Sequence, residues 1–499
     1  MTLGRNLIAG LANSIWSALI GLAVVPFYLK YLGIEAYGLI GFFVTTQALL
    51  QLLDMGMAPT INREVARCSA AGDMKEAGKL LHTLAVVYWS MAAVIAMLFL
   101  VLAPLIAEYW LQSKQLSPQI ISHAVMLMGL VVACRWPIGL YQGALIGAQR
   151  LTVSSAINMT MVTISSLGAI AVLALVSPTI EAFFIWQACV GIVYAITMRA
   201  AAWRIIGDSK ANRFDVDYIR RVLRFSLGAG AISISGLVLT QLDKIILSKM
   251  VGLESFGKYM LATMVASSLY ILIVPIFNTA YPRFSSLFAQ QKMDELLLQF
   301  RAASRWLATL LFPSAMVLGL LAQPLVNLWT GNEGLAIDVA PLVSLLLLAY
   351  SLHGVMHMPY ALMLAQGETS SMFRIYIALI VVSVPLTGML SLWYGVIGGG
   401  WAQLMLFMLY LIIGTWVTHK KCFKGYALEW LSMDVGMPFG ISAIIGIFGY
   451  AALPILGDGI YALLIAGMLL WVVATLLSIY SSQSSRAIFI GYWNQFRYR

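Results

Sequence analysis

Apolar residues in this chain run in blocks rather than in alternation. Fourteen stretches of about twenty residues, at about 7–30, 37–60, 81–106, 120–142, 153–176, 182–203, 224–247, 255–280, 305–329, 338–363, 375–394, 397–418, 433–455 and 459–480, are nearly free of charge. Roughly 20 helical residues at 1.5 Å each cross about 30 Å of hydrocarbon, so each block predicts a membrane-spanning helix. In lipid every backbone polar group must be paired internally, which helices achieve. The pattern therefore predicts an all-α, polytopic membrane protein and excludes a soluble or peripheral one.

Composition agrees. Apolar residues make up 61% of the 499 residues and charged residues 10%, against about 45–50% and 25% in soluble domains. The net charge of +10 would suggest nucleic acid in a soluble protein, but its distribution argues otherwise. With the N-terminus inside, 24 of the 30 Lys and Arg residues fall in inside segments and five outside (Lys30, Lys114, Lys244, Lys249, Lys258), leaving Arg135 within a helix. That asymmetry predicts both termini on the cytoplasmic side, and it reads as topology and anionic-lipid contact, not nucleic-acid binding. The first run, Leu7–Val25, ends in Pro26-Phe27-Tyr28-Leu29-Lys30, with no small-residue cleavage site, and predicts an uncleaved helix. Cys68, Cys134, Cys189 and Cys422 show no paired or metal-binding spacing.

An internal repeat organises the chain. Lys30-Tyr31-Leu32-Gly33-Ile34-Glu35-Ala36-Tyr37-Gly38 returns as Lys249-Met250-Val251-Gly252-Leu253-Glu254-Ser255-Phe256-Gly257, an offset of 219. Met74 and Glu76 match Met293 and Glu295 at that offset; Ala144-Leu145 and Ala148-Gln149 match Ala361-Leu362 and Ala365-Gln366 at 217. Six helices per copy place both copies in the membrane the same way round, as two parallel lobes. The expected division is a six-helix lobe over 1–206, an amphipathic inner-surface linker over 207–223, a second lobe over 224–421, and helices 13 and 14 with a tail over 422–499. A path for cargo is expected between the lobes.

Polar residues at hydrocarbon depth mark candidate chemistry, because a charge there costs at least about 2.5–3.5 kcal/mol. Asp54 and Arg135 both lie about 10 Å below the inner interface on helices 2 and 4, so they could form a structural pair. Alternatively, Arg135 could present its forked cation to a phosphate, with Pro137 kinking the helix beside it. Gln47, Gln51 and Asp54 form a polar stripe on helix 2. Tyr350, His353, His357 and Tyr360 share a face of helix 10, suited to lining a cavity or to interhelical hydrogen bonding; no acidic residue completes a zinc site. Helix 7 carries Ser226, Gly230, Ser233, Thr240 and Lys244, with Asp243 beside Lys244 as a pair that could snorkel and neutralise itself. Asn13, Ser17, Asn158 and Gln403 are weaker candidates. No Walker A loop, HExxH or nucleophile elbow occurs, so neither ATP hydrolysis nor other catalysis is expected.

The stretch Gly33-Ile34-Glu35-Ala36-Tyr37-Gly38, then Leu53-Asp54-Met55-Gly56-Met57, then Asn62-Arg63-Glu64-Val65-Ala66-Arg67 resembles the opening of bacterial polysaccharide flippases of the multidrug/oligosaccharidyl-lipid/polysaccharide exporter superfamily. Gly33, Glu35, Tyr37, Gly38 and Arg63 carry the signature; Met55 and Met57 depart from its usual Leu or Phe. The resemblance implies a multi-pass protein of the bacterial cytoplasmic membrane that flips a polyprenyl-diphosphate-linked oligosaccharide to the outer leaflet. It would work by alternating access, for O-antigen-type surface polysaccharide. It implies no cofactor beyond a coupling ion, proton or sodium. Membrane lipids and other polysaccharide-assembly proteins would be its partners. Arg135 would meet the diphosphate, and His353, His357, Gln47, Gln51, Tyr281 and Tyr360 the glycan. The alternatives are a cation-coupled multidrug exporter of the same superfamily, a flippase for the peptidoglycan precursor, and a membrane glycan polymerase or ligase. The first would want an acidic cavity, and the last a large catalytic outside loop; neither feature is evident.

Overall fold

The structure, a computed structural model, describes residues 2–54, 56–207, 214–215, 234–452 and 459–481. Every regular element among them is helical: α1 (Thr2–Leu50), α2 (Met57–Ala71), α3 (Met74–Leu105), α4 (Pro118–Arg135), α5 (Ile138–Gly147), α6 (Leu151–Leu175), α7 (Ile180–Ile206), α8 (234–250), α9 (Leu253–Ser267), α10 (Tyr270–Ala289), α11 (Met293–Leu320), α12 (Ala322–Thr330), α13 (Glu333–Val355), α14 (His357–Ala365), α15 (Thr369–Tyr394), α16 (Val396–Lys421), the short α17 (Ala427–Glu429), α18 (Met437–Ala452) and α19 (Ile460–Tyr480). Eleven of the described spans are long and apolar enough to cross a bilayer, or twelve if α9 and α10, bent by 44°, form one span. One of these, Ala9–Asp54, has 46 residues, about 70 Å of helix and more than twice the hydrocarbon thickness. It is interrupted at Gly33, whose φ of 78° and ψ of 173° leave the helical region; a side chain would be strained there. The turn thus falls where the first and second expected spans meet.

The protein is a polytopic, all-helical membrane protein, as the sequence predicts, and its helices run on through charged segments between the apolar blocks. Residues 61–80 and 281–304 are mostly helix: α2 and α3 meet at a turn at Gly72-Asp73, and α10 and α11 at Gln290–Lys292. Charged residues there lie on helical turns that continue past the apolar blocks, and window hydropathy stops counting them too early. Met74 and Met293, matched by the repeat, are each the first residue of their helix. The stripe residues Ser226, Gly230 and Ser233 and most of the 207–223 linker lie outside the described residues.

Two compact units divide the chain at Met1–Gly257 and Lys258–Arg499, so helix 234–250 counts with the first. In that unit α3 packs on α4, α1 on α6, α4 on α7 and α2 on α5. The last pair approaches closely because Gly143 and Gly147, four apart, face α2. A Cβ on either would lie 2.7 Å from the Ala58 carbonyl oxygen or 2.4 Å from that of Asn62. Small residues at helix crossings let backbones meet where lipid offers no hydrophobic drive. In the second unit α11 is central, touching α10, α13, α18 and α19. Arg301 binds Asp434 at 2.8 Å and Glu429 at 2.6 Å, Arg305 lies 3.6 Å from Asp434, and Arg305 donates to Ser481 Oγ at 3.0 Å. Those contacts fasten α17–α19 to α11.

Candidate functional site

The first unit carries an uncompensated cation. Proline lacks the N–H that would continue the helix to residue i−4, and α4 ends at Arg135, just before Trp136-Pro137. The break delivers Arg135 between α6 and α7. Its Nη2 donates to Gln187 Oε1 at 2.5 Å and to Ser165 Oγ at 3.3 Å, and Ser165 itself donates to Gln187 at 2.6 Å. Nε is buried without a hydrogen-bond partner. Among the described residues no carboxylate lies within ion-pair distance of this guanidinium. Gly191 leaves the space beside it: a Cβ there would sit 3.5 Å from the Arg135 stem.

The expected Asp54–Arg135 pair is therefore corrected. Asp54 accepts a hydrogen bond from the Tyr88 hydroxyl and another from the Ala58 amide at 3.2 Å. Helix 2 stops being α-helical at Gln51–Asp54 and restarts after Gly56, which is left-handed (φ 78°). That break turns Asp54 towards α3 instead of α4. Gln47 is half-buried and Gln51 exposed. Asn158 donates to Asn13 at 2.6 Å and accepts from Tyr194 at 2.6 Å, tying α1, α6 and α7 together. Asp243 and Lys244 are also not surface groups. They are 1% and 5% exposed, bond each other at 3.2 Å, and Lys244 donates to the Thr240 carbonyl at 2.7 Å. Neutralisation holds; snorkelling does not.

The second unit breaks a span in the same manner but with other chemistry. Pro359 cannot donate to the Val355 carbonyl, and α13 gives way to α14 at Met356. His353 and His357 flank the break. His353 Nδ1 lies 3.0 Å from the Tyr270 hydroxyl, and its ring is 4.5 Å from that of Phe407. His357 Nδ1 lies 3.2 Å from the Gly354 carbonyl. Phe277, which the sequence pattern does not single out, is the hub. Its ring stacks on Tyr281 (6.0 Å) and Tyr360 (5.9 Å) and meets His357 edge-on at 6.2 Å. Four expected residues, His353, His357, Tyr281 and Tyr360, thus form one aromatic cluster with Phe277 and Tyr270. The i, i+4 spacing of Phe277 and Tyr281 on α10 is the signal in the sequence that could have found it.

The signature residues behave differently from a cavity lining. Glu35 is 3% exposed and binds the α3–α4 connection. Tyr37 is buried, and Gly38 packs against backbone. Arg63 is exposed and pairs with Glu64 at 3.2 Å.

Residues 3–288 match the family model described as "Polysaccharide biosynthesis protein". No curated protein matches the chain. Among solved structures it resembles a lipid II flippase MurJ in an inward closed conformation, with a TM-score of 0.70, 14% identity, and 97% of this chain and 99% of that one covered. It also resembles an inward-facing multidrug resistance MATE family transporter of the MOP superfamily (TM-score 0.63, 14% identity, 81% and 95% covered). The Vibrio cholerae MATE transporter VcmN in the bent form gives a TM-score of 0.53 at 14% identity, with 86% and 99% covered. These likenesses establish a shared fold. With more than half its length matched by the family model, the chain belongs to the polysaccharide biosynthesis protein family and is a multi-pass membrane protein with the fold of the MOP superfamily.

Proposed function

We propose that this protein flips a polyprenyl-diphosphate-linked oligosaccharide from the inner to the outer leaflet of the bacterial cytoplasmic membrane, for assembly of cell-surface polysaccharide of the O-antigen type. The observation that carries the reading is Arg135: a guanidinium within a membrane span, held, among the described residues, by the neutral Gln187 and Ser165. Neutral dipoles orient a cation but do not balance it, and its planar fork matches a phosphate. A diphosphate supplies the missing charge during passage. The sugars would lie against the Phe277–Tyr281–Tyr360 rings, whose flat faces suit the apolar faces of pyranoses. The lipid tail needs no shelter and stays in the bilayer, whereas the sugar–diphosphate head cannot cross hydrocarbon unaided.

The two six-helix repeats would alternate access to the two leaflets, driven by a proton or sodium gradient, and no bond in the cargo would be broken. The fold is shared with drug transporters, so the cargo class rests on the site. A drug cation would want a free carboxylate, yet Asp243 is neutralised by Lys244 and Asp54 is bound by Tyr88 and the Ala58 amide.

The test is lipid analysis of a strain lacking the gene. Accumulation of one polyprenyl-linked oligosaccharide on the inner leaflet, reproduced by Arg135→Ala at normal protein level, is the expected result. Unchanged surface glycan and no accumulation would sink the proposal. Purified protein is expected to show no hydrolase or transferase activity towards sugar nucleotides.

A further inference from the structure

The nine-residue motif and its repeat touch each other within the first unit, and they do so symmetrically. A Cβ on Gly38 would lie 2.4 Å from the Leu253 carbonyl oxygen, and one on Gly257 would lie 2.3 Å from that of Ile34. The same Cβ atoms would stand 3.3 Å from Gly257 N and 3.2 Å from Gly38 N. Ile34 corresponds to Leu253 and Gly38 to Gly257 at the same offset of 219, so a local two-fold axis passes between the glycines. Any larger residue would separate the helices.

Across this symmetric crossing lies one asymmetric segment, the α3–α4 connection. On one side the Glu35 carboxylate accepts from Ser113 Oγ at 2.5 Å and from the amides of Lys114 at 3.2 Å and Gln115 at 3.1 Å. On the other side the Leu253 amide donates to the Gln112 carbonyl at 2.7 Å, and Trp110 Nε1 donates to Ser248 Oγ at 3.0 Å. Lys249 Nζ donates to the Tyr109 carbonyl and sits 5.7 Å from the centre of a Trp110 ring. One copy of the motif grips residues 113–115, and the other, with its neighbour Ser248, grips 109–112. Both grips include a charged group, the stronger kind of hydrogen bond. Within the segment Leu111 is buried, whereas Tyr109 and Trp110 remain 64% and 37% exposed.

We propose that residues 109–115 are a strap that holds the outer ends of the two motif copies together and must let go before cargo can leave on that side. The inference rests on the flippase reading for its functional half. Its structural half stands on the contacts alone. Glu35 and Lys249 are then gating residues that touch no cargo, which accounts for a buried carboxylate and a lysine in a motif outside the Ser165–Gln187 hydrogen bonds of Arg135.

Two experiments test it. Hydrogen exchange of the purified full-length protein is measured over 109–117 and 249–257. Glu35→Gln, and independently Lys249→Met, should each speed exchange in both segments by about tenfold, the weight of one charged hydrogen bond. No change in either variant would overturn the strap. In the second experiment Gln112→Cys and Gly252→Cys, in a background without the four native cysteines, are joined by a short reducible bis-thiosulfonate. A Cβ at Gly252 would be 3.7 Å from the Gln112 carbonyl oxygen, so the sites are within reach. Cross-linking should abolish surface glycan and reduction should restore it. Full export by the cross-linked protein, in cells where Arg135→Ala abolishes it, would overturn the strap and leave the flippase reading standing. Export untouched by both would overturn that reading, and the gating role with it.

Discussion

The two units each break a membrane span beside a proline and place polar groups at the break, yet the groups differ in kind. At Trp136-Pro137 the first unit presents a permanent cation on neutral hydrogen-bond partners. At Met356 the second presents two imidazoles and a stack of rings. A break frees backbone and opens room for side chains that a continuous helix would seal against its neighbours. What fills that room decides what can be bound: charge at one break, flat aromatic surface at the other. The same device, a span broken beside a proline, thus carries different chemistry in each unit.

The largest expected effect breaks the charged side. Arg135→Ala should lower export at least tenfold, from loss of a charged hydrogen-bond partner worth about 1.5–3 kcal/mol, while membrane insertion, read by protein level, is kept. Arg135→Lys should recover only part, because a point charge lacks the fork. Full activity in the alanine variant would leave the comparison without its first term. Next comes the helix crossing. Gly38→Ala and Gly257→Ala should each destabilise the purified protein by about 1–3 kcal/mol through overpacking, read as a lower thermal midpoint. The two should be nearly equal, since their clashes are 2.4 and 2.3 Å; a large inequality would refute the local two-fold. The aromatic side should respond more gently. His353→Leu removes the Tyr270 hydrogen bond, worth about 1 kcal/mol, so export should fall about fivefold without loss of protein. The smallest effect concerns Asp54. Asp54→Asn and Arg135→Ala should combine additively within about 0.5 kcal/mol, as groups without a shared contact do; strong coupling would restore the pair the structure denies.

Much of this architecture is legible in the sequence because membrane proteins advertise it. Apolar blocks mark the spans, and the nine-residue repeat marks segments that turn out to face one another. The pattern predicts His353 and His357 on one face of helix 10, and they do cluster, although a break at Met356 divides that helix. Phe277 escapes notice because an apolar residue in an apolar block carries no contrast, and only its spacing from Tyr281 holds a signal. Asp54 departs from expectation for a different reason. Depth alone suggests Arg135 as its partner, but the change from α-helix to a tighter 3-10 turn at Gln51–Asp54 rotates the carboxylate away, and no hydropathy pattern encodes rotation. Glu35 stands in the sequence as a signature without a role, since its partners Ser113, Lys114 and Gln115 lie about eighty residues further along the chain.

The last two helices stand outside the repeat, which by itself would make them dispensable. Their anchorage argues against that. Asp434 sits 3% exposed between Arg301 and Arg305, and Arg305 itself is 7% exposed. Ending the polypeptide before Ala427 would strip both guanidinium groups of their counter-ions while leaving them on α11, the central helix of that unit. An orphaned buried charge is costlier than the pair it came from. Helices that lie beyond the repeat thereby hold the charge balance of the unit's central helix.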